Sequence, residues 1–257
     1  YLADRTRSNS GNTGPISQSD LSDAFESAAG FRPNDESSIM LQRLPSLGRI
    51  SADSPDRQFL DSFILNGLRA ENIIQLSKSW NSSMLNIAWK YPLDLTGLHI
   101  ISEYIKKDAK RIDSFISIAR NASSSENKIL ASDIVSALCL LDTEYIDFQD
   151  LFITDAHFSY LSFEGKEINR LSISNSCIER INLTNSKFTD QVQIRDCIIS
   201  TIYGISSIES VPSQIIDCDI DNYEALATTT LIKRANLSLS QKLLVDMLQK
   251  IFFQPGA

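Results

Sequence analysis

The chain has 257 residues, of which 42% are hydrophobic and 22% charged, and its formal net charge is −8. No apolar run approaches the roughly 20 residues of a membrane-spanning helix, and an acidic chain is poorly suited to binding a nucleic-acid backbone. The length allows two domains of moderate size. We expect a soluble, cytoplasmic protein that does not bind nucleic acid directly or associate with a membrane.

Residues 1 to 16 are predicted to be a helix remnant followed by a linker, because "SNSGNTG" is rich in turn-forming residues. These glycines do not make a phosphate-binding loop, since no lysine and no strand accompany them. The chain starts with Tyr1 instead of Met and has no leader-like segment. We therefore expect a fragment of a longer, non-exported protein.

Residues 17 to 144 are predicted to form a helical domain, either an all-helical bundle or a winged-helix-like array. Residues 17 to 30 place apolar side chains at helical spacing and end at Gly30, a suitable left-handed C-cap. A short helix is predicted after Asn34, with Pro45 closing it.

A third helix is predicted to start at Ser54 and Pro55, an N-cap followed by proline at the first helical position. It would run to about Gly67. Its apolar stripe comprises Phe59, Leu60, Phe63, Ile64 and Leu68.

More amphipathic helices are predicted downstream, near residues 98–107 and 112–119. A capping box of Ser123 and Glu126 is predicted to start another helix, whose apolar residues begin at Leu130.

Residues 145 to 222 show a different period, with an apolar residue at every fifth position. Neither a helix nor a flat strand keeps such residues on one face, because five steps rotate a helix by about 500° and odd steps alternate across a strand. A square solenoid with five residues per side and about four coils of 20 residues satisfies the pattern. The predicted core residues are Phe148, Ile153, Phe158, Phe163, Ile168, Ile173, Ile178, Leu183 and Phe188.

The cysteines of this region recur at the predicted coil length. Cys177 and Cys197 are 20 residues apart, Cys218 follows after 21, and His157 precedes Cys177 by 20. The spacing predicts a stacked ladder of small apolar thiols, which is favoured over a metal site because no histidine ligands lie nearby. With no CxxC pair, the four cysteines are expected to be free thiols.

This repeat resembles the pentapeptide-repeat solenoids, which are right-handed quadrilateral β-helices with Phe or Leu at the central position and a small residue two before it. The small position holds Ala156, Ser176 and Ser186 in alternate units only. The other units have Leu151, Leu161, Leu171 and Ile181 there, so the actual unit is a ten-residue "LxIxxxxF" pair.

The negative charge is concentrated in this repeat. Residues 146 to 221 hold 12 acidic and 5 basic side chains, a net charge of −7, whereas the remaining 20 acidic and 19 basic side chains nearly balance. An acidic solvated face can simply keep a repeat stack soluble, or it can imitate DNA or dock a basic partner. Asp196, Asp217 and Asp219 are the candidate partner-facing residues of this face.

Known catalytic signatures are absent from the sequence, including GxSxG, HExxH, GxGxxG and GxxxxGK[ST]. The two histidines are His99, in an apolar helix-like setting, and His157, in the repeat. We expect no enzymatic activity, no metal and no cofactor in this chain.

Residues 223 to 257 are predicted to be a linker and a capping helix. From residue 238, apolar side chains recur at helical spacing, at Leu244, Met247, Leu248, Ile251 and Phe252. The ends of a repeat stack require covers, and this helix and those before the repeat are the natural ones.

The combination of "LQRLP", "RQFLDSFILNGLRA", a solenoid and "KLLVDMLQKIFFQPGA" resembles the region after the nucleotide-binding domain of bacterial NACHT and STAND signalling ATPases. The resemblance implies a regulatory or sensor region, often in anti-phage defence, with ATP bound by an upstream domain. Arg43 and Arg57 would then face that domain. The alternative is a free-standing acidic interaction module that acts as a DNA mimic or scaffold.

Overall fold

The computed structural model describes residues 1–8, 12–79 and 85–225, which contain seven α-helices and a β-solenoid. The helices are α1 Leu2–Ser8, α2 Gln18–Ala29, α3 Asp35–Leu41, α4 Ser62–Lys78, α5 Leu95–Lys106, α6 Lys110–Ser123 and α7 Lys128–Leu138. The predicted fold class, helices followed by a β-solenoid, is confirmed. The predicted C-terminal helix lies outside the described residues.

The first three helices and a hairpin form one unit. Strands β1 Leu47–Arg49 and β2 Arg57–Phe59 pair antiparallel, and Ile16 bridges Arg57 on the other side of β2. The chain order of helix, bridge, two helices and hairpin is that of a winged-helix unit. The structure therefore favours the winged-helix-like alternative, and the all-helical one is wrong at the hairpin. We call residues 1–68, which add the first turns of α4, the N-terminal unit.

The predicted caps of this unit are partly confirmed. The Ser17 hydroxyl accepts a hydrogen bond from the N–H of Asp20, whose carboxylate accepts one from the N–H of Ser17, and Gly30 ends α2 with φ 79°. Asn34 caps α3 by accepting from the N–H of Ser37 at 2.8 Å. Local side-chain to backbone bonds need no tertiary partner, which is why sequence predicts them well.

The prediction for the third helix is wrong at its start. Ser54 and Pro55 lie in the connection between β1 and β2, and α4 begins after Asp61, whose carboxylate accepts from the N–H groups of Phe63 (2.7 Å) and Ile64 (3.3 Å). A Ser-Pro pair starts turns as readily as helices, and strands of three residues have too little periodicity to indicate themselves.

The start of α7 also differs from the prediction. Its N-cap is Asn127, whose side-chain oxygen accepts from the N–H of Leu130 at 3.2 Å, and Ser123 still belongs to α6. The whole of α7 between residues 129 and 138 is buried, because it lies over the first coil of the solenoid. The Ser132 hydroxyl donates to the carbonyl of His157 at 2.7 Å across this contact.

The solenoid consists of short parallel strands. They are β3 Tyr145–Thr154, β4 His157–Phe158, β5 Leu161–Ser162, β6 Glu167–Ser174, β7 Cys177–Asn182, β8 Lys187–Phe188, β9 Gln193–Arg195, β10 Ile198–Tyr203, β11 Ile215–Ile216 and β12 Asp219–Glu224. One sheet has the order β11-β9-β6-β3 and the other β12-β10-β7-β4. Because β6 pairs with both β8 and β9, and β7 with both β4 and β5, each sheet carries two of the four predicted sides.

The coil length is 20 residues at first and 21 later. Phe158 pairs with Ile178, but Ile178 pairs with Ile199 and Ile199 with Ile220. One additional residue lies between β8 and β9, where the five-residue spacing of apolar residues in the sequence is also interrupted. Loop residues, including a 3₁₀ turn at Ile208–Ser210, precede the fourth coil.

The first coil contains two additional residues, which move Phe148 out of its predicted column. Gln149 and Asp150 have left-handed backbones, with φ 56° and 60°, and interrupt the pairing of β3 with β6. Ile146 therefore pairs with Ile168, although Phe148 is fully buried beside it.

Among the described residues, no helix has the length and apolarity needed to cross a bilayer.

Candidate interaction surfaces

The predicted solenoid core residues lie inside the stack. Eight of the nine are no more than 5% exposed, and Phe188 is half-buried against Phe163, with ring centroids 5.4 Å apart. The second apolar position of each ten-residue unit is also fully buried, at Leu151, Leu161, Leu171 and Ile181. These side chains fill the interior of the coils, and the polar residues of the solenoid lie mainly on its outer surface.

The predicted cysteine ladder is wrong by one member. Cys177 pairs with His157 and Ile198, whereas the column of Cys197 and Cys218 continues upward through Ser176. The extra residue of the third coil causes this shift, because it moves Cys197 one place away from Cys177 in the register.

Ser176, Cys197 and Cys218 make equivalent hydrogen bonds, one per coil. Their side chains donate to the carbonyls of Ser174 (2.7 Å), Arg195 (3.2 Å) and Ile216 (3.3 Å), two residues earlier in each case. A hydrogen bond from Cys197 lowers the pKa of Cys218 to about 7, and the same contact raises the pKa of Cys197. These hydrogen bonds stabilise the same corner in successive coils. Cys218 is the most readily ionised thiol of the column.

Ser176, Cys197 and Cys218, like Ala156 in the first coil, each follow a corner residue with a left-handed backbone and a carboxylate or amide side chain. Asp155, Asn175, Asp196 and Asp217 have φ between 48° and 55°, and all four are exposed. Asp and Asn tolerate this conformation better than other non-glycine residues. Two of the proposed partner-facing residues, Asp196 and Asp217, therefore have a backbone reason for their identity, and Asp219 lies exposed at the start of β12.

One constellation has the residue types of a nucleophilic site. His157 Nε2 lies 2.9 Å from a Glu179 carboxylate oxygen, and Cys177 pairs with His157 in the adjacent coil. Burial and Glu179 raise the pKa of Cys177, which opposes its ionisation. His99, on α5, is half-buried, and no cluster of three potential metal ligands occurs in the described part of the chain. Neither histidine indicates a catalytic centre.

The largest exposed apolar residues are concentrated in the N-terminal unit and the start of α4. Between residues 31 and 68, nine such side chains are 36% to 68% exposed: Phe31, Ile39, Met40, Leu44, Ile50, Leu60, Phe63, Ile64 and Leu68. Among its described residues, the buried apolar core of this unit comprises Ala3, Ile16, Leu21, Leu47, Phe59 and Leu65. Concentrated exposed apolar surface on a small core is typical of a protein-binding region.

Three of these residues, Phe63, Ile64 and Leu68, lie on α4, and Leu60 lies just before its N-cap Asp61; together we call these four residues the apolar face of α4. The three helical residues are exposed, whereas Leu65 and Arg69 of the same helix are buried. The Leu60 side chain folds onto β1, where a Cβ on Gly48 would lie 2.3 Å from it. The sequence revealed this stripe, but periodicity does not distinguish a face that packs within the chain from one that packs on a partner.

The two arginines predicted to face a missing domain differ in their exposure. Arg43 is exposed. Arg57 is 5% exposed and donates to the carbonyls of Gln42 (3.1 Å) and Pro55 (2.7 Å), so it holds the hairpin and is not available to a partner.

A buried ionic bridge joins the N-terminal unit to the helices that cover the solenoid. Arg7 of α1 and Asp133 of α7 form an ion pair in which both side chains are at most 1% exposed. Arg7 also donates to the carbonyl of Tyr91 at 2.9 Å and lies 3.8 Å from the Trp89 ring centroid. Asp133 accepts from the N–H of Leu93 at 2.8 Å, and burial raises its pKa despite the arginine.

Arg69 of α4 extends this bridge. It is fully buried and donates to the carbonyl of Ala3 (3.1 Å), the hydroxyl of Thr6 (2.7 Å) and the side chain of Asn12 (2.8 Å). Burial lowers its pKa to about 10, which leaves it charged at neutral pH. Three buried charges thus fix α1, α4 and α7 to one another, and the two units are mechanically coupled.

The basic side chains of the solenoid are largely engaged inside the chain. Lys166 is 5% exposed and donates to the carbonyl of Leu141 at 2.8 Å, Arg170 pairs with Asp147 and Asp150, and Arg180 lies 5.5 Å from the Tyr160 ring centroid. Arg170 is therefore paired with carboxylates and Lys166 is buried, while the corner carboxylates Asp155, Asp196 and Asp217 stay exposed on the outer surface.

Comparison with known proteins identifies no relative: no family model, no curated protein and no solved structure matches this chain.

Proposed function

We propose that this chain is a non-catalytic regulatory or sensor region that acts through protein contacts, as part of a larger signalling ATPase of the NACHT or STAND type in anti-phage defence. The apolar face of α4 docks on the nucleotide-binding domain. The solenoid is the platform that receives the sensed partner, and ATP belongs to the upstream domain.

The observation that carries this proposal is the apolar face of α4 on a unit with a six-residue core. Exposed apolar residues weaken solubility unless a partner covers them. The second helix of a helix-turn-helix enters the DNA groove in DNA-binding proteins, but here α3 starts with Asp35 and Glu36 and exposes Ile39 and Met40. The two carboxylates repel phosphate, and the exposed Ile39 and Met40 favour a protein surface.

The buried ionic bridge supports a regulatory role, because it couples the docking unit to the solenoid. A partner bound to the solenoid displaces or strains α7, and Asp133 transmits this to α1 through Arg7. Two helices joined by a buried ion pair move together, since separating them would leave each charge without its counterion.

The first test is the translated sequence upstream of Tyr1, which we expect to contain a phosphate-binding loop. That upstream polypeptide is then produced separately and its binding to this chain is measured by calorimetry. The double variant Ile64→Glu, Leu68→Glu is expected to weaken binding at least tenfold, because it places carboxylates on the apolar face of α4.

The control is Phe152→Glu, which changes a more exposed apolar residue on the solenoid (66%, against 43% for Ile64 and 48% for Leu68) and is expected to leave binding unchanged. A start codon directly before Tyr1, or equal binding by all three proteins, would contradict the proposal.

A second candidate, a free-standing acidic module that imitates DNA, is favoured by the net charge of −7 on residues 146 to 221 and by the exposed corner carboxylates. It predicts inhibition of supercoiling by purified bacterial DNA gyrase. The variant Asp155→Asn, Asp196→Asn, Asp217→Asn retains side chains that tolerate the left-handed corners and removes three charges. Inhibition that persists in this variant, or no inhibition by the parent chain, would exclude this candidate.

A further inference from the structure

The fourth coil of the solenoid exposes the interior that the other coils bury. Three columns end in half-buried residues: Ile215 below Ile194, Ile220 below Ile199 and Tyr223 below Ile202, where all three upper members are fully buried. This loss of burial at every column means that the end of the stack presents an apolar cross-section.

The opposite end of the stack is covered within the chain. There α7 lies over β3, β4 and β5 and is buried throughout, and the Ser159 hydroxyl donates to the carbonyl of Leu93. In the described residues, β12 pairs with β10 along one edge, and its outer edge has no strand beside it. A repeat stack is stable in water only when both ends are covered.

Charge indicates what covers the open end. Residues 213 to 225 contain Asp217, Asp219, Asp221 and Glu224 and no basic residue. Residues 226 to 257 contain Lys233, Arg234, Lys242 and Lys250 and a single acidic residue, Asp246. The acidic rim of the fourth coil is therefore complementary in charge to the segment that follows it in the sequence.

We infer that the amphipathic segment 238–252 of this chain packs its apolar residues on the fourth coil and its lysines against the acidic rim. The contact is intramolecular, and it holds whichever partner the N-terminal unit binds. The 12 residues between Ala225 and Ser238 reach up to about 40 Å when extended, whereas one five-residue side of a coil measures about 16 Å. The segment can therefore lie anywhere across the open end.

Hydrogen exchange on the full chain tests this inference. The variant Leu244→Asp, Leu248→Asp is expected to raise amide exchange in residues 215–224 about tenfold or more, because it exposes β11 and β12, while residues 167–182 stay protected. The control Gln249→Asp adds one carboxylate off the apolar stripe and is expected to change neither region. Unchanged exchange in residues 215–224 of the double variant would overturn the inference.

Cys218 gives an independent measurement, because it is half-buried in the open coil. Its labelling by a maleimide is expected to become several times faster in the double variant, whereas the fully buried Cys139 stays unlabelled and reports that the fold is intact. Labelling of Cys218 at the parental rate contradicts the inference.

Charge reversal separates docking from general loss of folding. Lys242→Glu, Lys250→Glu is expected to raise exchange in residues 215–224, and adding Asp219→Lys, Asp221→Lys is expected to restore protection. Failure of this rescue overturns the charge pairing. Protection that increases with chain concentration, together with a dimeric mass in light scattering, would assign the open end to a second copy instead.

Discussion

The N-terminal unit and the solenoid bury their apolar residues in different ways. In the N-terminal unit, six residues from α1, the Ile16 bridge, α2, both strands and α4 pack into one cluster, and none of their contacts is repeated along the chain. In the solenoid, Ile178, Ile199 and Ile220 occupy the same position in successive coils, and so do Ser176, Cys197 and Cys218.

The difference determines how each region responds to a change. A repeated column distributes its stability over neighbouring coils, so a lost contact affects the coils above and below it. A unit with a small core depends on a few specific contacts. The buried ionic bridge is the largest of these, since it replaces apolar packing at the contact between α1 and α7.

The largest effect is expected from breaking that bridge. Asp133→Leu leaves the Arg7 guanidinium buried without its carboxylate, which is expected to lower the free energy of unfolding by about 3–5 kcal/mol. Urea denaturation followed by circular dichroism measures the loss. The double variant Arg7→Met, Asp133→Leu is expected to recover most of it, because an apolar pair needs no counterion. A single variant as stable as the parent would show that the bridge does not couple the units.

Replacing a glycine by alanine is expected to change the free energy of unfolding in opposite directions in the two regions. Gly204, in the solenoid, has φ 86°, and a Cβ there would lie 2.5 Å from the backbone nitrogen of Thr184 in the coil above. Gly204→Ala is therefore expected to cost about 1–3 kcal/mol. Gly67, inside α4, has its nearest atom at 3.8 Å, so Gly67→Ala is expected to stabilise the chain by about 0.5–1 kcal/mol.

Thermal unfolding of both glycine variants checks this prediction. Equal shifts of the two midpoints in the same direction would contradict the contrast between a helical glycine and a solenoid corner. The neighbouring corner residue Asn185, with φ 53°, provides a further control, since Asn185→Gly is expected to be neutral or mildly stabilising.

Much of the solenoid could be predicted from sequence because its signal repeats. One misplaced residue, such as Phe148, does not hide a pattern that continues through Ile168 and Ile173. The register of the later coils could not be predicted, since a single inserted residue shifts every column after it. Cys177 and Cys197 share a spacing of 20 residues and still occupy different columns.

The interaction surfaces were harder to predict, because they depend on contacts between distant segments. The apolar face of α4 was visible as a stripe, but its exposure follows from the hairpin that replaces the predicted helix start. The buried ionic bridge joins residues 126 apart in sequence, and nothing local to Arg7 or Asp133 indicates their pairing. The burial of Arg57 could not be predicted for the same reason, because folding of the hairpin brings its partners, the carbonyls of Gln42 and Pro55, next to its guanidinium.

The smallest expected effect is a pH-dependent one on the solenoid surface. Hydrogen bonds from Arg170 hold the pKa of Asp147 below its ordinary value of 3.8, with one nitrogen to oxygen distance of 2.7 Å. A lowered pKa means that the contribution is complete above the ordinary value and is lost as the pH falls through the lowered one. Asp147→Asn is therefore expected to cost less than about 1 kcal/mol at neutral pH and nothing once the carboxyl is protonated. Urea unfolding between about pH 7 and pH 3 measures this difference.

The control is Asp150→Asn, which is expected to have a smaller effect because the Asp150 side chain is 64% exposed and lies 3.3 Å from Arg170. A cost of Asp147→Asn that grows as the pH falls would contradict the assigned ion pair.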